Sequence, residues 1–175
     1  MLTTDFDADT QAHLRLEYRY EDFQNSDQRP TVSDMTGDRI RLTTDLRHNL
    51  SEWLSVYLSL YGERKDAVEG FDADWQAGGT AGATIRFKGP IASQPRPWSV
   101  DLAVGLLERR FDSPDIAIST EPRLDDEGTV QGTLTVPVGD TWSAQTVLGY
   151  RKVLSNYDLF TLDDINTSLA MIKKF

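Results

Sequence analysis

Three observations predict an all-β fold, an antiparallel up-and-down transmembrane β-barrel of about eight strands. Apolar and polar side chains alternate with period two, long polar links alternate with short turns, and an apolar stripe runs to the last residue. At 175 residues the chain is long enough for one sheet-based domain and short for two. Residues 1–11 read as an N-terminal periplasmic lead-in and residues 12–175 as the barrel.

The first segment, Ala12 to Glu21, sets Leu14, Leu16, Tyr18 and Tyr20 against His13, Arg15, Glu17, Arg19 and Glu21. The second, Arg39 to Arg47, opposes Ile40, Leu42, Thr44 and Leu46 to Arg39, Arg41, Thr43, Asp45 and Arg47. In the third, Trp53 to Gly62, Leu54, Val56, Leu58 and Leu60 oppose Ser55, Tyr57 and Ser59. Trp53 has inward parity there, as a plug for the lumen would. The fourth, Trp75 to Lys88, is rich in glycine and alanine, which permit bending of a tight wall. Trp98 to Leu106, Val130 to Val136 and Trp142 to Tyr150 supply three more. The eighth carries Ile165, Thr167, Leu169, Met171, Lys173 and Phe175 on one face. With an apolar stripe, such a terminal strand is an aggregation-prone edge unless closure pairs it with the first strand.

Links 22–38, 63–74 and 111–127 are long and polar, whereas 48–52 and 137–141 are short; 89–97 and 153–158 blur the alternation. That asymmetry matches long extracellular loops and short periplasmic turns, with both termini periplasmic. Aromatic residues divide into two belts. Phe87, Trp98, Trp142 and Phe175 sit at the turn ends, and Tyr20, Trp75, Phe111 and Tyr150 near the loop ends, as amphipathic rings do at lipid interfaces.

Mean hydropathy of −0.44 does not argue against a membrane wall, because only alternate residues of a barrel strand face lipid. No run approaches the roughly 18 apolar residues of a membrane helix. The competing fold is a soluble eight-stranded barrel of lipocalin type, whose apolar face would point inward. The terminal stripe, the belts and the loop asymmetry together favour the membrane. Arg15, Glu17, Arg19, Arg39, Arg41, Asp45 and Arg47 then form a polar network in a narrow lumen.

The tail, with Phe175 last and Ile165, Thr167, Leu169 and Met171 at alternate upstream positions, resembles the C-terminal signal of bacterial outer-membrane barrels, which the barrel assembly machinery reads. Lys173 departs from that pattern, which usually carries an aromatic or aliphatic residue there. The stretch from Arg123 through Trp142, Tyr150, Ser155, Asn156 and Tyr157 to Phe175 resembles the closing strands of surface lipoprotein assembly modifiers and related barrels attached to tetratricopeptide domains. Those families carry a periplasmic helical-repeat domain and more strands, neither of which is visible here. The resemblance implies a bacterial outer-membrane location and contact with outer-membrane lipid and lipopolysaccharide. It also implies a protein partner in a larger envelope complex, and a chain that is the C-terminal part of a larger barrel.

Chemistry beyond this is sparse. With no cysteine, neither a disulfide nor a thiolate metal site is available, and the first twenty residues show no secretory signal. His13 begins a strand and His48 lies in a turn, both at the end away from the extracellular rim where outer-membrane barrel enzymes generally place a histidine, so no enzyme activity is expected. Net charge is −3 over residues 22–38, −3 over 63–74, −5 over 111–127 and −3 over 153–164, so negative charge gathers at one rim. Asp125, Asp126 and Glu127 with Asp163 and Asp164 are the candidate ligands for Ca²⁺ or Mg²⁺ bridging to lipid headgroups; solvated acidic loops are the alternative. An acidic rim and a pI of 4.6 disfavour nucleic acid. The expected role is a membrane anchor or an assembly or export component at the cell surface. The alternatives are a channel or export pore built with additional strands or copies, and a soluble lipocalin-like ligand-binding barrel.

Overall fold

The computed structural model describes residues 2–5, 9–28, 30–90 and 96–173. Eight long strands follow one another in chain order: β2 (Thr10–Glu21), β3 (Gly37–Asn49), β4 (Leu54–Lys65), β5 (Asp74–Phe87), β6 (Trp98–Phe111), β7 (Leu124–Val138), β8 (Trp142–Ser155) and β9 (Leu162–Lys173). A short β1 (Leu2–Asp5), inside the expected lead-in, adds to the outer edge of β2 opposite Gln11–Leu14. Each strand pairs antiparallel with its sequence neighbours in one up-and-down sheet of order β1 to β9.

The period-two pattern is what the sheet uses. Register carries one parity around the whole sheet: Leu16 lies opposite Leu42, Leu46 opposite Leu58, Ala81 opposite Val104, Val104 opposite Val130, and Tyr150 opposite Ile165. The other face carries Glu17 opposite Arg41, Glu63 opposite Gln76, and Asp125 opposite Ser155. Because side chains alternate across a strand, no local choice of rotamer can exchange the two sets.

Exposure is inverted relative to a water-soluble domain. Every buried residue within a described strand, namely Ser55, Glu63, Asp74, Gly105, Asp125, Pro137, Gly149 and Val153, has polar-face parity. On the apolar face Leu16 is 69% exposed, Leu106 75%, Ile165 73% and Leu169 80%. Apart from Pro137 and the two glycines, the buried apolar set among the described residues is only Ala73, Val153 and Tyr157. The accessible surface is 11823 Å² for a 19.7 kDa chain, against about 8,600 Å² for a compact monomer of that mass. Roughly 3,000 Å² that a soluble fold would cover is therefore uncovered.

Small residues let the polar face curl inward. Tyr57 lies across Gly82 and Tyr61 across Gly78, their cross-strand partners, and a Cβ on Gly82 would sit 2.4 Å from the Tyr57 ring. The glycines of β5 thus receive tyrosines on the inner face as well as permitting the expected bend. Gly139, at φ +63°, turns the chain from β7 to β8 in the left-handed region where a side chain would be strained.

Several sequence expectations are corrected. Among the described residues the sheet is open: β9 pairs only with β8, β2 has β1 and β3 as neighbours, and β9 does not close onto the first strands. The strands also run further into the long links than their apolar stripes. Glu63 lies inside β4, and Asp125, Asp126 and Glu127 lie inside β7, because acidic residues on the polar face read the same as acidic loop. The connecting loops shrink to 22–36, 66–73, 112–123 and 156–161, with net charges of −2, −3, −2 and −1, so the rim remains acidic. His48 is a β3 residue, not part of a turn. Trp53 precedes β4 and is 57% exposed, so it plugs nothing.

Candidate functional site

The polar face is one connected charge network spanning five strands. Strand β4 carries Glu63, 2% exposed, onto this face because Leu58 and Leu60 commit the other parity to the apolar side. Its carboxylate lies 3.6 Å from Arg39 Nε and 3.7 Å from Arg41 Nη1, and it accepts a short hydrogen bond from Gln76 Nε2. Outward from this centre, Arg39 Nη2 donates to Glu21 at 3.3 Å, and Glu21 pairs with Arg19 at 3.6 Å. In the other direction Arg109 Nη2 donates to Gln76 Oε1 at 3.1 Å, and Arg109 Nε lies 3.9 Å from Asp74. Burial makes each carboxylate costly unless paired, so the alternation of sign from β2 to β6 is what permits a wall of charge here.

Smaller clusters continue the wall. Tyr57 and Thr84 both donate to Asp101, at 2.9 and 2.8 Å, while Ser59 donates to Asp45 at 2.6 Å. Arg86 donates to the fully buried Ser55 at 3.0 Å, and Arg151 grips Glu127 through two bonds of 2.8 and 2.6 Å. The Arg41 guanidinium stacks over Tyr61 at 4.1 Å.

The expected polar set is thus partly assembled. Arg19, Arg39, Arg41 and Asp45 have named partners, whereas Arg15, Glu17 and Arg47 share the face and lie exposed on the outer strands. Register places Arg19 directly opposite Arg39, a repulsive pair that Glu21 bridges. Sequence reasoning missed Glu63, Asp74, Gln76, Asp101, Arg109, Glu127 and Arg151 as network members. Continuing the parity of each stripe past its last apolar residue would have found Glu63 and Glu127.

The five candidate metal ligands do not converge. Asp125 accepts two bonds from Arg123, at 2.9 and 2.5 Å, and Glu127 is held by Arg151 on the same face. Asp126 has the opposite parity and is exposed. Asp163 accepts from Tyr150 at 2.5 Å, while Asp164 falls on the polar face opposite Arg151. Among the described residues no group of three or more acidic or histidine side chains is arranged to hold a metal ion.

Of the aromatic residues assigned to belts, Phe87, Trp98 and Trp142 lie on the apolar face at the turn ends, and Phe87 and Trp98 pack with ring centroids 6.3 Å apart. Tyr20 and Trp75, 60% and 59% exposed, lie on that face at the loop ends, and Tyr150 lies on it within β8. Phe111 departs: it pairs with Asp74 and has polar-face parity. Phe175 lies outside the described residues; of the terminal stripe, Ile165, Thr167, Leu169 and Met171 share the apolar face.

Phe111 belongs instead to an ordered cap of loops. Arg123 is sandwiched between the Phe111 ring at 4.6 Å and the Phe160 ring at 3.5 Å while it binds Asp125. Tyr157, 4% exposed, donates its hydroxyl to Glu121 O at 2.6 Å, and Asn156 Nδ2 donates to Pro122 O at 2.9 Å. Val68 N donates to Thr36 O, Glu69 N to Asp34 O and Ser113 N to Gly70 O, so adjacent loops are stitched through their backbones. Arg64 adds two bonds to Asp112, at 2.7 and 2.5 Å.

Two rim carboxylates titrate in opposite senses. Burial raises the Asp72 pKa, Asp34, Asp115 and Glu69 add to the effect and Lys65 opposes it. Hydrogen bonds from Arg64 hold Asp112 below the usual range. A raised folded pKa means that ionised Asp72 destabilises the cap at neutral pH and that this penalty vanishes on acidification; the Asp112 contribution is present at neutral pH and lost in acid. Asp72→Asn is expected to raise the melting temperature at pH 7 and leave it unchanged near about pH 3, where the carboxyl is protonated in both states. Thermal melts at the two pH values check this.

His48 Nδ1 lies 2.9 Å from Thr10 Oγ1 at the turn end. The sequence matches no known family model and no curated protein.

Proposed function

We propose that this chain forms part of the wall of a bacterial outer-membrane β-barrel, with its apolar face against lipid, its polar face toward an aqueous interior and its acidic loops at the outer rim. One observation carries the reading: the charged face is the buried, mutually paired one and the leucine-rich face is the exposed one. In water that arrangement leaves the apolar face without a partner; in a bilayer it is the arrangement expected of a barrel wall.

The role that follows is non-enzymatic, a membrane anchor or an assembly or export component. The carboxylates of the polar face are held by arginines and amides, and the loop cap is tied by backbone bonds, so the fold supplies a rigid wall and an ordered rim. The soluble ligand-binding barrel is disfavoured because its apolar stripe would have to be the enclosed one. Placing one charge on each face of β8 tests the reading: Leu148→Arg should sharply weaken folding in a bilayer while Gln145→Arg should not.

A further inference from the structure

We infer that the free edge of β9 pairs with the free edge of β2 in a second copy of this chain, closing the open sheet into a head-to-tail ring of copies. The inference rests on the membrane-wall reading above. All twelve residues of β9 are exposed, on both faces, and so are Leu14 to Tyr20 of β2. Had the chain closed on itself, the polar-face side chains of these strands would be packed in its interior as those of β4 and β7 are. An open edge in a bilayer leaves backbone N–H and C=O groups unpaired at a cost of several kcal/mol each, so both edges require a strand.

Symmetry selects which strand. Two β9 edges can pair only about a two-fold axis. An axis perpendicular to the sheet would put the loops of one copy on the side of the other copy's turns. An axis along the strands would turn one apolar face inward. Pairing β9 with β2 keeps all loops on one side and all apolar faces outward, and such a heterologous contact generates a ring when the rotation closes.

The two edges also match. β2 runs from the turn end to the loop end and β9 runs back, so their pairing is antiparallel like every other pair in the sheet. Parity then brings Ile165 and Leu169 beside the Leu16, Tyr18 and Tyr20 stripe. On the polar face Asp164 stands at the loop end of β9, and the exposed Arg19 stands at the loop end of β2. Among the described residues β1 covers Gln11–Leu14, which leaves Arg15 to Glu21 open for the partner strand.

The absence of cysteine makes the test clean. Glu17→Cys on β2 and Ser168→Cys on β9 are refolded into detergent micelles and treated with a short bis-maleimide, with sedimentation and circular dichroism run alongside. The expected result is a covalent heterodimer when the two single variants are co-refolded, and a ladder of dimers and higher species from the double variant. Ser168→Cys alone and a Thr80→Cys control in β5 are expected to stay monomeric. A double variant that yields only an internally cross-linked monomer overturns the inference, as does β9-to-β9 dimerisation of Ser168→Cys. If β-structure still requires detergent in those cases, the membrane-wall reading survives; a β-rich monomer in buffer alone overturns both.

Discussion

Leu148→Arg is expected to destabilise the protein in a lipid bilayer by about 2–4 kcal/mol, the cost of a cationic side chain on the lipid face of a barrel near the midplane. Leu148 lies near the middle of β8, on the face that carries Val130, Tyr150 and Ile165, and is 57% exposed. The contrast with water is what makes the substitution informative. At a position more than half exposed in a soluble protein, an arginine would change stability by no more than about 0.5 kcal/mol. Gln145→Arg, three residues earlier on the polar face opposite Thr135, is expected to cost less than about 1 kcal/mol. Denaturant titrations in the same vesicles check both.

Removing the Glu63 carboxylate is the second large effect. Glu63→Ala leaves Arg39 and Arg41, side by side on β3, without their shared anion and deprives Gln76 of its acceptor. Breaking a fully buried ion pair costs about 3–5 kcal/mol; because both arginine side chains are about a third exposed, at 33% and 39%, solvent screens part of this and roughly 2–3 kcal/mol is expected. Glu63→Ala combined with Arg41→Ala is expected to be less destabilised than the sum of the single variants, since the double change removes the orphaned charge with its partner. Additive losses would show that Glu63 acts through packing alone.

These two residues mark where the sequence is legible and where it is not. Leu148 can be placed from sequence because period-two alternation is local: two residues of context decide its face, and among the described residues the stripes keep their parity even across the glycines of β5. Glu63, Asp125 and Glu127 could not be placed with equal ease. At a strand end a charged residue satisfies the polar face and the loop alike, so the stripe loses its contrast where these residues begin. Read as loop, the acidic residues of β7 form one cluster; as a strand, their successive side chains point to opposite faces. Phe111 lies near a loop end, as a belt residue does, but its parity, opposite Asp74, places its ring with Arg123 in the loop cap. Closure lies outside local pattern altogether. An alternating edge strand has the same appearance whether its partner is the first strand or another chain, and β9 has neither in the open sheet.

The claim that one face of the sheet meets lipid is tested most directly by a nitroxide scan of β8 in vesicles, with single cysteines placed in turn from Ser143 to Tyr150 and each label's collision rates measured with oxygen and with a water-soluble nickel chelate. The account predicts a two-residue period, with oxygen favoured at Ala144, Thr146, Leu148 and Tyr150 and low oxygen access at Ser143, Gln145, Val147 and Gly149. Equal access of the nickel chelate at Thr146 and Leu148 as at Gln145 would place the apolar face in water and contradict it.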